Sequence, residues 1–266
     1  MTQSGPTLEE LLRSADTLIR EARRKRKEAD RLLRETEEAS APGRGQDPNR
    51  TAALQQALAD AKADLSAAVD LLEPELRRRE SGLTTTLRSM GALEDRKDLA
   101  VRLADCYGSL GGIARRASDH GLALELYRKG RDLEMNSAYG IKSTYNRVQW
   151  IVMQVLVDPS SVSSDSELAG HTRGLLELLS GGTVQDAWTS ADILLLAAIS
   201  DDRRRLRRAW DALVASHPAA DVYKSGLLVL QDLAVKVPGN ALLLYAIDLY
   251  RSQLTELTSA SSPQSA

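Results

Sequence analysis

Apolar or small side chains recur three and four residues apart over 7–38, at Leu8, Leu11, Ala15, Leu18, Ala22, Ala29 and Leu32. This spacing returns to one face of a 3.6-residue helix, so the segment is predicted as a long helix with a coiled-coil-like seam. Lys25 interrupts the seam once, and the other faces are dense in Arg, Lys and Glu. The stretch 41–48 carries two prolines and two glycines, which a helix does not tolerate. A second seam follows over 49–79, with Leu54, Leu58, Ala61, Leu65, Ala68, Leu72 and Leu76. Pro74 is expected to kink this helix or to begin a new segment. Two seams of similar length joined by a short loop predict an antiparallel hairpin.

From about residue 95 the apolar periods shorten and are punctuated by Gly, Asp and Pro. Helices are expected near 95–118, 120–134, 139–157, 166–179, 185–199, 202–216, 219–236 and 239–257. No stretch sustains a two-residue alternation, so no sheet is expected. The expected organisation is a hairpin or coiled-coil arm at 1–80, a linker at 81–94, helical pairs at 95–257 and a disordered tail at 258–266. The fold class is all-α.

Composition agrees with helix. There is no Phe, and aromatics make up 4% of the chain, so the core must rest on Leu, Ala and Val. A net charge of −2 argues against a surface built throughout for nucleic acid. The single cysteine, Cys106, excludes an internal disulfide framework and points to a reducing compartment. The first ten residues lack a signal-peptide pattern, and the apolar run 193–199 is too short to span a bilayer. A cytoplasmic protein with no membrane partner is the expectation, and the Ala-, Arg- and Leu-rich composition suggests a GC-rich bacterial source.

The segment 104–134 reads ADCYGSLGGIARRASDHGLALELYRKGRDLE. It resembles a tetratricopeptide repeat: Leu110-Gly111 stand at the family's Leu-Gly pair, and Tyr107 at the aromatic position one turn earlier. Ala123, Tyr127 and Gly130 stand at the following small, aromatic and small positions. Ala114 and Met135 depart from the pattern. A looser likeness over 187–218 rests on Trp188, Leu194, Leu206, Trp210, Leu213 and Pro218. The resemblance implies an α-solenoid of about four helix pairs after the hairpin. It also implies that small residues at Gly111, Ala123 and Gly130 let paired helices approach while Tyr107 and Tyr127 fill the space between them.

Candidate chemistry is sparse. His120, His171 and His217 share neither helical spacing nor an acidic or cysteine cluster, so no metal site is expected. Cys106 reads as a small buried hydrophobe. The Gly108–Gly112 stretch lacks the Lys-Ser/Thr of a phosphate loop and has no strand before it. No cofactor and no catalytic residues are assigned. Two basic runs, 23–27 and Arg203, Arg204, Arg207 and Arg208 with Arg205, are by default solvated faces paired to neighbours such as Glu21, Glu28 and Asp30. Their alternatives are an acidic partner or nucleic-acid phosphates.

By the tetratricopeptide resemblance, the first helix of each pair lines a groove. Asp105, Gly112, Arg115 and Arg116 would face it from one pair, and Lys142, Asn146 and Gln149 from the next. The expected function is therefore a non-enzymatic adaptor or regulatory subunit that binds a partner peptide or helix. The hairpin would serve as a second arm for a homodimer or a hetero-complex. The alternatives are a nucleic-acid-binding helical-repeat protein using the arginine clusters, or an accessory subunit of a bacterial signalling or defence enzyme.

Overall fold

The computed structural model describes residues 6–39, 48–81, 90–164, 166–182 and 186–261. The described residues are helical with no strand, and the protein is all-α. The loop 41–47, the linker residues 82–89 and the end of the tail, 262–266, lie outside the described residues. The chain divides into two compact units, Met1–Arg147 and Val148–Ala266.

The first unit begins with the expected hairpin, α1 (Leu8–Ala39) and α2 (Pro48–Ser81), and α2 continues through Pro74 without ending. Ala15, Ile19 and Ala22 of α1 are buried against Ala61, Leu65, Ala68 and Leu72 of α2 in one core. Lys25, the break in the seam, donates to Asp64 Oδ2 across the hairpin at 2.6 Å. The apolar interruption is thus a cross-helix ion pair with both side chains largely shielded.

The hairpin is not a free arm. Leu99, Leu103, Cys106, Tyr107, Leu110 and Ile113 of α3 (Met90–Arg116) belong to the same buried cluster as Leu65, Leu72 and Leu76. A division at 81–94 was expected, but the units part between Arg147 and Val148. The physical reason is that α3 has apolar residues on two sides. One side faces the hairpin and the other faces α4 (His120–Met135). Asp119 caps α4 by accepting from Leu122 N at 3.1 Å, which satisfies one of the unpaired donors of its first turn.

The fifth helix, α5, was expected from 139 but spans Tyr145–Val157. Gly140, at φ +57°, turns the chain after α4. The N–H groups of the new first turn are then met by side chains. Ser143 Oγ accepts from Tyr145 N at 3.3 Å, and the buried Glu134 carboxylate accepts from Asn146 N and Arg147 N, each at 3.1 Å. An acid at a helix N-terminus also suits the helix dipole.

In the second unit, α6 (Ser161–Ser164) occupies the stretch that separates α5 from α7 (Ser166–Ser180). The central helix, α8 (Ala187–Ile199), is apolar all round over its second half, with Ile193 to Ile199 all buried. It packs with α7, α9 (Arg203–Ala215), α10 (Ala220–Lys236) and α11 (Ala241–Ser261), which explains why no face of that half is polar. Asp186 and Asp202 cap α8 and α9 through Thr189 N and Arg205 N. Trp210, Tyr223 and Tyr250 form an aromatic cluster with centroids 5.3–6.1 Å apart. Trp188, part of the looser repeat-like spacing over 187–218, is 56% exposed. The helix α11 runs to Ser261, so residues 258–261 are helical and not part of a disordered tail. No described helix is long and apolar enough to cross a membrane.

Candidate functional site: a cationic recess over Gly112

The packing of α3 on α4 sets the site. A Cβ added to Gly111 would come within 2.9 Å of the Tyr127 ring, so the glycine lets the ring lie directly across α3. This carries the phenol oxygen to the next residue along. A Cβ added at Gly112 would lie 3.6 Å from Tyr127 Oη, 4.0 Å from Arg26 Nη2 and 4.0 Å from Tyr145 Oη. Polar groups from α1, α4 and the start of α5 therefore converge on one spot that has no side chain of its own. The rings of Tyr127 and Tyr145 meet edge to face, with centroids 6.1 Å apart.

Two further guanidinium groups, Arg115 and Arg116, follow on α3 by three and four residues, a spacing that keeps them on nearby parts of the helix. Arg116 pairs with Asp30 Oδ1 of α1 at 2.9 Å. Arg26 Nη1 donates to Ser109 Oγ at 3.0 Å. Arg26 Nε and Arg115 Nη1 are buried and meet no acceptor within the protein. Among the described residues, Arg116–Asp30 is the one ion pair that these three arginines make. Unmet buried donors on a cation are unusual, because each forfeits its hydration without compensation.

Burial, reinforced by the like charges of Arg26 and Arg115, holds the Arg116 guanidinium below its ordinary range, against the pull of Asp30. Burial pushes the Tyr127 phenol well above its ordinary value. At neutral pH that hydroxyl is a neutral group able to donate. The site combines partly unneutralised positive charge with phenolic donors, and it opens to solvent where Tyr145 is 43% exposed.

Of the groove residues expected from sequence, the structure brings Gly112, Arg115 and Arg116 together. Asp105 lies elsewhere. It is 3.4 Å from Arg23 and lines a cleft of about 570 Å³ between α1 and α3, with Leu12, Asp16, Ile19 and Arg102. Asn146 is not a groove residue: it is 2% exposed, and its amide donates to Ala104 O at 3.1 Å and to Glu134 Oε1 at 2.9 Å. Gly108 and Gly130 make room for it, since a Cβ at either would collide with its side chain. The Nδ2 donors are thus satisfied within the protein, while the buried Oδ1 meets no protein donor. Lys142 lies in the α4–α5 connection, exposed and outside any helix, and Gln149 is buried.

Sequence reasoning did not assign Arg26, Tyr127 or Tyr145 to the site. Arg26 stood within a basic run whose members now part company: Arg23 faces Asp105, Arg24 pairs with Glu21 and Lys25 with Asp64. All three are paired to acids, but the expected pairing to a neighbour in sequence holds among them for Arg24 alone. Nothing in a single sequence gives the register that turns Arg26 toward Gly112.

The second basic run lies on α9. Arg203, Arg204, Arg207 and Arg208 are exposed, and among the described residues none of them is in an ion pair. Tyr245 of α11 serves two of them. Arg207 Nη1 donates to its hydroxyl at 2.5 Å, and the Arg203 guanidinium lies 5.7 Å from its ring centroid. Sequence showed no aromatic residue among these arginines, and the tertiary structure supplies one.

The chain is all-α, and three arginines and two tyrosines gather near Gly112. Comparison with protein families, curated proteins and solved structures gave no match.

Proposed function

We propose that this protein is a non-enzymatic adaptor that captures a partner through an anionic group held over Gly112. The observation that carries this reading is the convergence of Arg26, Tyr127 and Tyr145 on that spot beside Arg115 and Arg116. Guanidinium groups suit such a task because their planar fork pairs with oxyanions through two hydrogen bonds. The tetratricopeptide-like contact of Gly111 with Tyr127 supports a scaffold of paired helices behind the site. The chain's single thiol fits binding better than covalent chemistry: burial pushes Cys106 up to about 12, far from the thiolate range of a nucleophile.

The test is affinity capture with the full chain as bait, comparing wild type with Arg115→Ala/Arg116→Ala. A partner retained by wild type and lost by the double variant, at an unchanged melting temperature, is the expected result. Each lost charge-assisted contact is worth about 1.5–3 kcal/mol. Equal capture by both baits would sink this reading.

The α9 stripe favours a second reading, in which the protein binds nucleic-acid phosphates. Four exposed arginines, two of them held against Tyr245, supply the charge and one aromatic face. Nuclease-sensitive capture, weakened by Arg204→Ala/Arg208→Ala and steeply salt-dependent, would mark this reading.

A further inference from the structure

We infer that the recess over Gly112 takes a dianionic phosphate group, carried as a phosphate monoester, in preference to a carboxylate. This rests on the anion-binding reading above and specifies its ligand.

The charge balance comes first. Arg116 pairs with Asp30, whereas Arg26 and Arg115 are in no ion pair among the described residues, which leaves two positive charges without a carboxylate. A carboxylate would neutralise one of them. A phosphate monoester carries about −1.5 to −2 at neutral pH, because its second pKa is about 6. It therefore matches the excess.

The donors point the same way. Arg26 Nη2, Tyr127 Oη and Tyr145 Oη approach the spot from three elements, and Arg115 stands one turn further along α3. A carboxylate offers two oxygens in one plane, whereas a phosphate monoester offers three terminal oxygens arranged around a tetrahedron. Donors that arrive from several directions suit the second geometry. Tyr127 cannot compete as an anion, since burial holds its phenol protonated where its ring rests edge to face with Tyr145.

Glycine at 112 is part of the fit. Helix interiors disfavour glycine by about 1 kcal/mol relative to alanine, and here no protein atom requires it, as a Cβ would sit at ordinary contact distance from every neighbour. By contrast, Gly111 is required by the Tyr127 ring. A glycine that packing does not demand, placed where three polar groups converge, leaves room for a ligand atom. The phosphate could belong to a phosphorylated side chain of a partner or to a small phosphorylated metabolite, and the shared chemistry is the monoester.

The experiment uses the full chain and calorimetric titration at pH 7.5 and fixed ionic strength, with O-phosphoserine, adenosine monophosphate and acetate as probes. Gly112→Ala should fold at least as well as wild type while filling the spot, and Arg115→Gln removes one charge without touching Gly112. At least one phosphate probe should bind tenfold or more tightly than acetate, and each variant should weaken it at least tenfold. Tighter binding of phosphoserine would point to a phosphorylated partner, and tighter binding of the nucleotide to a metabolite. Acetate binding as well as the phosphates, with loss in both variants, would overturn the phosphate assignment and leave an anion site standing. If no probe binds, or if binding ignores both substitutions, the recess is not an anion site and the adaptor reading fails with it.

Discussion

Gly111 of α3 and Tyr127 of α4 pack so closely that a single added carbon on Gly111 would stand 2.9 Å from the tyrosine ring. Substitution on either side of this contact tests the pairing of the two helices. Gly111→Leu should destabilise the protein by about 1–3 kcal/mol or more through overpacking. Tyr127→Ala should cost about 3 kcal/mol through the cavity it leaves. Urea unfolding measures both, and midpoints equal to wild type would show that the contact does not hold the helices together.

The Glu134–Asn146 pair should prove structural. Glu134 Oε1 takes hydrogen bonds from Asn146 N, Asn146 Nδ2 and Ser143 Oγ, all at 2.9–3.1 Å, and both residues are buried. Glu134→Ala strands these donors, at a cost of about 1–3 kcal/mol for an unmet buried group. Asn146→Ala should cost a comparable amount. In both variants the melting temperature should fall while anion binding by the folded protein is unchanged. Altered binding without loss of stability would return Asn146 to the ligand-facing role that its sequence position suggested.

Acid should weaken the contact of α1 with α3. Arg102 donates to both oxygens of Asp16, at 2.7 and 3.1 Å. The hydrogen bond from Arg102 holds the Asp16 carboxyl below its ordinary range, with burial opposing it. A lowered folded-state value means that the stabilisation is complete above the unfolded pKa of about 3.9 and is lost as pH falls through the folded value. Asp16 is 45% exposed, so screening limits the effect to about 0.2–1 kcal/mol. Melting temperatures between pH 2 and 6 should fall less steeply in Asp16→Asn than in wild type. Parallel curves would show that this pair contributes nothing.

A chain beginning near Leu93 should not fold as the full protein does. Removing the hairpin strips Leu99, Leu103 and Leu110 of the α2 residues Leu65, Leu72 and Leu76 in their shared core. Burying a leucine is worth about 1.5–3 kcal/mol, and several are uncovered together. Aggregation, or a broad and weakly cooperative melt, is expected by light scattering and circular dichroism. A soluble product with a sharp transition would restore the hairpin to the status of an independent arm.

Period and punctuation in the sequence were enough to specify an all-α chain, the hairpin, and most helix positions to within a few residues, because those features depend on near neighbours. The closeness of Gly111 and Tyr127 was legible in another way, through the tetratricopeptide resemblance of 104–134, which puts a small residue and an aromatic at those positions. What a side chain faces across helices depends instead on register and crossing geometry. The tertiary structure alone turned Lys25 toward Asp64, sank Asn146 between Gly108 and Gly130, and joined α3 to the hairpin. It also brought Arg26 against Ser109, 83 residues further along the chain, which added a third arginine to the pair on α3. A helix shows its stripe in one dimension, but rotation by one residue moves a side chain about 100° around the axis. Only packing against the neighbouring helices decides which of those directions becomes core and which becomes site.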